Sequence, residues 1–378
     1  MKIVIACDSY KDTLTSSEVC ESIEKGINKI NKDIDIIKVP MADGGEGTAT
    51  AIHNALGGEI VKVLVHDPLF RKINSSYVYI EETKTAIIEM AKASGLELLE
   101  LSDRNPMNTS TYGTGDLILD ALNKGCNNLF IGLGGSATND GGIGMAHALG
   151  ARFYDKSNNE IPLTGKGLLE LKRIDVNFLD SRVKDCNVKI MCDVDNVLHG
   201  YNGAAYVYAK QKGANESMIH ALDDGLINYA NIIKSSLNFD VSNIKGAGAA
   251  GGLGAGIITF LNGRIQRGVD VVIDIVKLEE KIKDADLVIT GEGRIDYQTK
   301  FGKVPYGVTQ IAKKHNKPVI AICGSTGEKY EELYNCGVDA IFATTTIQTS
   351  IEEYKKTTPK QLVQMSEAIV RTFFKKSL

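Results

Sequence analysis

One glycine-rich stretch, Gly132–Gly142, limits the folds open to this chain more than any other part of its sequence. Leu129–Ile131 before it predict a short buried strand, and Gly144–Leu149 after it predict a helix. In a strand–turn–helix unit of this kind, backbone N–H groups point toward an anion at the helix start, where the helix dipole also favours negative charge. The stretch carries polar side chains at Ser136, Thr138, Asn139 and Asp140. We therefore predict a site for a phosphate group and its metal ion.

The same stretch matches the dinucleotide-binding fingerprint G-x-G-x-x-G/A at Gly132, Gly134 and Ala137. Asp155 lies near the position expected for the acid that binds a ribose hydroxyl. However, residues 246–256 contain a second match, and because one chain rarely needs two such sites, the pattern alone discriminates poorly. A dinucleotide-dependent oxidoreductase therefore stays an alternative. Two others are a glycine turn made only for tight packing and a non-catalytic protein that binds a sugar acid or a nucleotide.

The composition is that of an ordinary globular protein with two domains. The chain has 378 residues, which exceeds the length at which single hydrophobic cores stop growing. Its net charge of −4 gives no electrostatic argument for a nucleic acid or an anionic membrane as a partner. Met1–Ala6 enters a strand without a signal-peptide pattern, and no apolar run approaches the length of a membrane span. The cysteines show no C-x-x-C spacing, which favours reduced thiols in a cytoplasmic protein.

Strand-like runs alternate with helical segments at both ends of the sequence. Lys2–Cys7 and Ile34–Val39 are each followed by a polar loop and a helical pattern, and the same alternation returns in the C-terminal third. This order is typical of a parallel sheet with crossover helices. From about residue 59, runs such as Ile60–Val65 and Ser76–Ile80 follow one another without intervening helices. Their succession predicts antiparallel or mixed pairing, and hence a second domain inserted into the first.

Acidic side chains collect where the predicted strands end. The acids at or near such ends are Asp8, Asp43, Glu46, Asp140, Asp193, Glu292 and Asp296. The nearby cations are Lys11, Arg294 and Lys303. Because ligands bind outside the carboxyl ends of parallel strands, these loops are candidates for a shared site. Carboxylates that hold Mg²⁺, together with cations and N–H groups that hold phosphate oxygens, favour phosphoryl transfer.

Other catalytic signatures are absent from the sequence. It contains no G-x-S-x-G, no H-E-x-x-H and no G-x-x-x-x-G-K-[ST], and it lacks the H-R-D and D-F-G triplets of protein kinases. The acids also have structural interpretations. Asp8 and Asp43 are compatible with helix caps or turns, and Glu46 with a first-turn acid that complements the helix dipole. Asp140 is compatible with a cap of the helix behind the central loop.

Several of these loops carry longer motifs in a fixed order along the chain. They are Cys7–Lys11, Ala42–Thr48, Gly134–Gly142, Cys192–Val194, Gln211–Ala214, and Gly291–Asp296 with Gln298 and Thr299. Together these motifs closely resemble those of the bacterial type I glycerate kinases over nearly the whole chain. The resemblance implies ATP-dependent phosphorylation of D-glycerate with Mg²⁺, commonly at the 2-hydroxyl to give 2-phosphoglycerate. It also implies two α/β domains, one of them Rossmann-like, with the site in the cleft between them.

We accordingly expect an α/β fold whose Rossmann-like domain, with a parallel sheet, comprises residues 1–58, 115–150 and 284–378. The second domain, with a mixed sheet, is inserted into the first and comprises residues 59–114 and 151–283. The substrate is expected to be D-glycerate. We expect neither a nucleic-acid partner nor a membrane partner, and a homodimer stays open.

Placement at strand ends assigns candidate roles to individual residues. The ATP phosphates are expected on Gly134, Gly135, Ser136, Ala137, Thr138 and Asn139. Mg²⁺ is expected on the carboxylates of Asp43, Asp193 or Asp296. Glycerate is expected to bind Asp8, Ser9, Lys11 and Arg294. A guanidinium suits the glycerate carboxylate because it forms two parallel hydrogen bonds with it. Asp193 is the expected acceptor of the hydroxyl proton and Lys11 the second catalytic candidate, although which carboxylate is the base and which binds metal stays open.

Overall fold

The computed structural model describes residues 1–45, 47–345 and 350–374, so Glu46 lies outside the described residues. The strands, in chain order, are β1 (Lys2–Cys7), β2 (Asp35–Lys38), β3 (Glu59–His66), β4 (Lys72–Ile80), β5 (Thr85–Glu89), β6 (Asn128–Gly132), β7 (Arg152–Tyr154), β8 (Arg173–Asp175), β9 (Asn187–Met191), β10 (Arg264–Gln266), β11 (Leu287–Gly291), β12 (Arg294–Ile295), β13 (Val319–Cys323), β14 (Ser325–Thr326) and β15 (Ala340–Ala343). The α-helices are α1 (Ser16–Asn28), α2 (Thr48–Leu56), α3 (Ala91–Ser94), α4 (Tyr112–Asn123), α5 (Ile143–Ala148), α6 (Ala204–Tyr208), α7 (Glu216–Leu237), α8 (Ala249–Leu261), α9 (Gly268–Ile275), α10 (Leu278–Ile282), α11 (Val304–Lys314), α12 (Glu332–Asn335) and α13 (Ile351–Phe374).

Two compact units make up the chain. The first unit consists of Met1–Asp43, Thr50–Gly57 and Val269–Leu378. The second unit consists of Gly44–Ala49 and Gly58–Gly268, so it is inserted into the sequence of the first.

The first unit contains a five-stranded parallel sheet. Its strand order is β15–β13–β11–β1–β2, and every neighbouring pair is parallel. Residues 3–7 of β1 are buried, as expected for a parallel strand whose two faces are covered by helices. Helix α1 begins with a capping box in which Thr15 and Glu18 exchange hydrogen bonds. The parallel sheet predicted from the alternation of strands and helices is confirmed.

The second unit contains a six-stranded mixed sheet in the order β10–β9–β6–β5–β4–β3. Strands β10, β9, β6 and β5 pair in parallel, whereas β5, β4 and β3 pair antiparallel. The antiparallel part corresponds to the runs that follow one another without helices, so the predicted mixed sheet is confirmed. A separate two-stranded sheet joins β7 to β8.

The segment 115–150 belongs to the second unit, whereas the sequence predicted it in the Rossmann-like domain. Its strand β6 lies between β5 and β9, where Ile131 pairs with Ile88 on one side and Ile190 on the other. A strand, a loop and a helix have the same local pattern in any parallel sheet, so the pattern identifies the module but not the sheet that it joins. Residues 269–283, predicted in the inserted domain, likewise belong to the first unit.

All seven cysteines are free thiols, and four of them are buried, namely Cys7, Cys20, Cys126 and Cys323. Among the described helices, none combines the length and the apolar character that crossing a membrane requires.

Candidate functional site

The loop after β6 turns its tip outward and its second half inward. Residues 134–136 are exposed or half-buried, whereas residues 137–139 are buried. The Ala137 N–H donates to the Ser94 carbonyl at 2.9 Å and so holds the buried half in place. Within the described part of the chain, the N–H groups of residues 134–136 donate to no protein acceptor. The tip therefore presents backbone donors to an anion, and residues 137–139 support it from behind.

Asp140 caps the helix that follows this loop. It is fully buried. Its Oδ2 accepts from the Thr111 N–H and hydroxyl, both at 2.8 Å, and from the Gly144 N–H at 3.3 Å, while Oδ1 accepts from the Gly142 N–H at 3.1 Å. Burial raises the pKa of this carboxyl, whereas the hydrogen bonds lower it. Helix α5 has only six residues, and Asp140 and Thr111 already accept from the N–H groups of its first turn. The donors left for an anion are therefore those of the loop tip and not those of the helix start.

The second glycine-rich segment packs against the first, backbone to backbone. Gly251 has φ +69°, and a Cβ there would lie 1.9 Å from the Thr138 carbonyl oxygen. At Gly252 a Cβ would lie 2.8 Å from the Cα of Gly141. The Gly141 N–H also donates to the Gly251 carbonyl at 3.0 Å. Close packing of two glycine-rich backbones therefore explains the second fingerprint match without a second ligand.

Lys212 lies beneath the same loop, and the sequence patterns assigned it no role. The residue is 1% exposed, and its Nζ donates to Ser136 Oγ at 2.7 Å and to the Thr138 carbonyl at 2.6 Å. Burial lowers the pKa of Lys212 to about 7, while the Asp140 carboxylate acts in the opposite direction. The motif Gln211–Ala214 was the available signal, but a lysine in a polar turn is ordinarily a surface residue.

Three carboxylates act on one another at the carboxyl ends of β1, β2 and β11 in the first unit. Asp8 Oδ1 accepts from the Ser9 N–H at 2.6 Å. Burial raises the pKa of Asp8 to about 8, and the charges of Asp43 and Glu292 raise it further. Burial also raises the pKa of Glu292 to about 6, against the lowering effect of Lys303. At these strand ends burial and the neighbouring carboxylates therefore favour the protonated forms of Asp8 and Glu292.

Glu292 has two further contacts that fix its position. Its Oε1 accepts from the Thr299 hydroxyl at 2.6 Å, and its Oε2 lies 3.4 Å from Lys303 Nζ. Both partners belong to the segment between β12 and α11, a motif region that the sequence resemblance had included up to Thr299.

The predicted cations of the glycerate site lie in the same unit. Lys11 and Arg294 are both exposed. A Cβ built on Gly293 would lie 3.3 Å from the Lys11 backbone nitrogen, so the segments after β1 and β11 run side by side. Asp296 accepts from the Gln298 N–H at 2.9 Å and lies 3.7 Å from Arg294 Nε. The structure thus brings the proposed substrate-binding residues to one edge of one sheet.

The predicted metal ligands are divided between the two units. Asp43 and Asp296 belong to the first unit and Asp193 to the second. Asp193 is exposed just beyond β9, and its Oδ1 accepts from the Gly268 N–H at 3.0 Å. In residues 1–45, 47–345 and 350–374, no three His, Cys, Asp or Glu side chains form a group that could hold a metal ion.

Residues 3–374 match a family model, that of the glycerate kinase family. The chain belongs to the glycerate kinase family. The catalytic class predicted from the motif resemblance is thereby confirmed, since a glycerate kinase is a phosphotransferase.

Individual glycerate kinases resemble the chain over nearly its full length. It is 49% identical over 353 residues to the glycerate 2-kinase of Escherichia coli (strain K12), an alignment that covers 93% of each chain. It is 46% identical over 369 residues to the glycerate kinase of Bacillus cereus, covering 98% of this chain and 97% of the relative. A crystal structure from Salmonella typhimurium LT2 that carries the name glycerate kinase 2 superposes with a TM-score of 0.92 at 45% identity, covering 100% of this chain and 99% of that one. The α/β fold is confirmed by this similarity.

Membership of the glycerate kinase family gives no support to the oxidoreductase alternative, and the structure shows why the fingerprint misled. Asp155 Oδ1 accepts from the N–H groups of Ser157 at 2.7 Å and Asn159 at 2.9 Å. These hydrogen bonds lower the pKa of Asp155 and close its own turn. The acid expected on a ribose hydroxyl is therefore a turn-forming residue.

Proposed function

We propose that this glycerate kinase transfers the γ-phosphoryl group of ATP to D-glycerate and forms 2-phosphoglycerate rather than 3-phosphoglycerate. The name of the E. coli relative, glycerate 2-kinase, supports the position of transfer. The observation that carries the ATP assignment is the loop tip at residues 134–136, whose N–H groups have no acceptor among the described protein groups. Backbone donors of this kind are well suited to phosphate oxygens.

In this proposal the two substrates bind to different units. The phosphates of ATP contact Gly134, Gly135 and Ser136, with Ala137, Thr138 and Asn139 as the support of the tip. Glycerate binds at the edge of the first sheet through Asp8, Ser9, Lys11 and Arg294. The exposed guanidinium of Arg294 and the ammonium of Lys11 pair with the glycerate carboxylate. Because the two sets belong to different units, the proposal requires an active site in the cleft between the domains.

The proposed carboxylates accept the hydroxyl proton and bind the metal ion. Asp193 accepts the proton of the attacking hydroxyl, and Lys11 is the second catalytic candidate. The oxygens of Asp43, Asp193 and Asp296 are the hard donors that Mg²⁺ prefers, so their chemistry fits this ion. Mg²⁺, when bound, neutralises charge on the phosphate oxygens. Since phosphoryl transfer depends on positioning and charge, no covalent nucleophile is needed from the protein.

A coupled assay tests the proposal directly. ADP release should depend on D-glycerate, fall strongly with L-glycerate, and require Mg²⁺. Phosphorus and proton NMR of the product should show the phosphate on the 2-oxygen. NADH in place of ATP, with no nucleotide triphosphate present, should give no glycerate-dependent change. Absence of glycerate-dependent ADP would refute ATP as the donor, and a 3-phosphate would refute the position of transfer.

We also propose a cytoplasmic location, supported by the free thiols of all seven cysteines. The homodimer stays an expectation that sedimentation equilibrium tests: a mass near twice that of the 378-residue chain would support it, and a mass near that of one chain would oppose it.

A further inference from the structure

Lys212 reaches the buried side of the phosphate loop because its own turn points it inward. It ends the short 3₁₀ helix Lys210–Lys212, whose other two residues are exposed. Gly213 follows with φ +96°, and a Cβ there would lie 2.1 Å from the Arg104 carbonyl oxygen. The tight approach of Arg104 to Gly213 fixes the direction in which the Lys212 side chain leaves the turn.

The hydrogen bonds of Lys212 determine how Ser136 can act. When Lys212 is protonated its ammonium only donates, so Ser136 Oγ then accepts from Lys212 Nζ at 2.7 Å. The hydroxyl proton of Ser136 is then left for another acceptor. Ser136 lies at the half-buried end of the loop tip, beside the N–H groups that have no acceptor among the described residues. Lys212 therefore prepares Ser136 as a hydrogen-bond donor toward the same anion.

Among the described residues, no close counter-ion matches the charge of Lys212. Within the described ranges it forms no ion pair. Asp140 is the charged side chain whose field reaches it, but the oxygens of Asp140 already accept four hydrogen bonds from other groups. The nearby Arg104 approaches Gly213 through its backbone carbonyl and Cβ. A buried ammonium that has hydrogen bonds but no counter-ion is costly, and a phosphate on the loop tip would compensate its charge.

We propose that Lys212 is a positioning residue for the nucleotide: it holds Ser136 as a donor to a phosphate oxygen and supplies positive charge beneath the loop tip at residues 134–136. This inference rests on the proposed binding of ATP to that loop. The ligand class is a nucleoside polyphosphate, because the site offers several donors and one buried cation to an anion with several oxygens.

Lys212→Met tests this role, with Lys210→Met as the matched control. Lys210 lies two residues away in the same 3₁₀ helix but is exposed. We expect Lys212→Met to raise the KM for ATP by about 10- to 100-fold, the effect of losing a charge-assisted hydrogen-bond system. The KM for D-glycerate should change less than about twofold. Lys210→Met should behave like the wild type in both.

Stability separates positioning from a purely structural role. Removing a buried charge without a counter-ion should leave Tm unchanged or raise it, so Lys212→Met should bind ATP poorly while folding at least as well. A lowered Tm with an unchanged KM for ATP would overturn the proposal. In a double-mutant cycle, Lys212→Met should raise the KM for ATP by a smaller factor in a Ser136→Ala background than in the wild type, because the two side chains act together. Full additivity would contradict the role assigned to Ser136.

A third variant distinguishes failure of this inference from failure of the proposed function. Gly134→Val places a branched side chain at the exposed loop tip. If Gly134→Val raises the KM for ATP and Lys212→Met does not, the loop binds ATP and the inference about Lys212 is wrong. If neither variant changes the KM, the phosphates do not bind this loop and the ATP assignment itself fails.

Calorimetry gives a readout that does not depend on turnover. Because the pKa of Lys212 is lowered to about 7, the side chain is largely neutral at pH 8, and a bound polyphosphate should return its proton. Titration of the full chain with MgATP at pH 8 without glycerate, in two buffers of different ionisation enthalpy, should show uptake of about one proton. Lys212→Met should show close to none. Equal uptake by both proteins would overturn the proposal.

Discussion

The carboxyl edges of the two sheets have opposite electrostatic character. At the edge of the first unit, burial raises the pKa of Asp8 to about 8 and that of Glu292 to about 6, and the charge of Asp43 raises both further. At the edge of the second unit, Lys212 has its pKa lowered to about 7 beneath a loop of exposed backbone N–H groups. Burial thus favours the neutral form of carboxyl groups at the first edge and the neutral form of an ammonium at the second.

This difference arises in the loops, since both edges are built from parallel strands. After β1 and β11 the chain continues directly into Asp8 and Glu292. After β6 it continues into glycines, which leave backbone N–H groups uncovered. A kinase needs both types of edge, because a cation-binding carboxylate group and a phosphate-binding loop stabilise opposite charges in phosphoryl transfer. The comparison therefore predicts different consequences for matched changes in the two units.

Neutralising one carboxylate in each unit has the largest expected effect. Asp193→Asn removes the proposed proton acceptor and should lower kcat by about 10²- to 10⁴-fold. Asp8→Asn should lower kcat much less at pH 6.5, by less than about tenfold. Because Asp8 has a pKa of about 8, its carboxyl is protonated at this pH and is close in shape and charge to an amide. Both variants are measured in the coupled assay at saturating ATP and D-glycerate.

The effects of Asp193→Asn and Asp8→Asn on kcat can be compared only if both variants fold. Circular dichroism should show that both variants retain the wild-type fold. If Asp8→Asn abolishes turnover and Asp193→Asn does not, the proton acceptor belongs to the first unit, and the division of roles between the two edges is wrong.

The sequence predicted the strands and the mixed sheet well because burial and alternation leave a direct pattern. The predicted run Lys2–Cys7 coincides with β1, and the predicted run Ile60–Val65 lies within β3. It did not assign residues 115–150 to the right sheet, since strand pairing between modules depends on contacts that are distant along the chain.

The candidate site shows the same limit at the level of single residues. The sequence left Asp140 open as a site acid or as a cap of the following helix. Its oxygens accept from the first turn of α5 and from Thr111, which is distant in sequence. Lys212 reads as a surface lysine, and only the fold places it under Ser136. Residue type and spacing predicted which loops matter, whereas the partner of each side chain required the tertiary structure.

Backbone packing under the phosphate loop should be the next most sensitive feature. Gly251→Ala combines a positive φ with a Cβ placed 1.9 Å from the Thr138 carbonyl oxygen, so it should destabilise the chain by about 3 kcal/mol or more. Gly125→Ala is the matched control, because Gly125 has φ +87° but no atom within 4 Å of the added Cβ. It should cost only about 1 kcal/mol. Urea denaturation measures both, and equal losses would show that the close packing of the two glycine segments is unimportant.

The two edges should also give opposite pH dependence of stability. The folded chain keeps a proton on Asp8 up to about pH 8, whereas the unfolded chain releases it near pH 4, so this group makes stability fall as pH rises between those values. The folded chain releases the proton of Lys212 near pH 7, whereas the unfolded chain keeps it to about pH 10.4, so this group makes stability rise with pH in that window.

Single variants separate the contributions of Asp8 and Lys212 to stability, because the two groups act in different pH ranges. Between pH 5 and pH 7, Asp8→Asn should remove a downward slope of at most about 1.4 kcal/mol per pH unit relative to the wild type. Between pH 8.5 and pH 10, Lys212→Met should remove an upward slope of the same maximal size. Thermal melts at half-unit pH intervals measure both differences, and we expect the Tm values of variant and wild type to differ by a few degrees. Slopes of the same sign at the two edges would refute the electrostatic contrast.

The smallest expected effect concerns Lys303, the cation that pairs with Glu292. Lys303 Nζ lies 3.4 Å from Glu292 Oε2, so Lys303→Met should raise the pKa of Glu292 above its value of about 6, by about half a unit to one unit. Lys300→Met is the control, since Lys300 pairs with Glu332 at 2.5 Å. Carbon-13 NMR titration of the Glu292 carboxyl reports the change. An unchanged pKa in Lys303→Met would mean that solvent already screens this pair. The raised pKa of Glu292 would then be set by burial, the Thr299 hydrogen bond and Asp43.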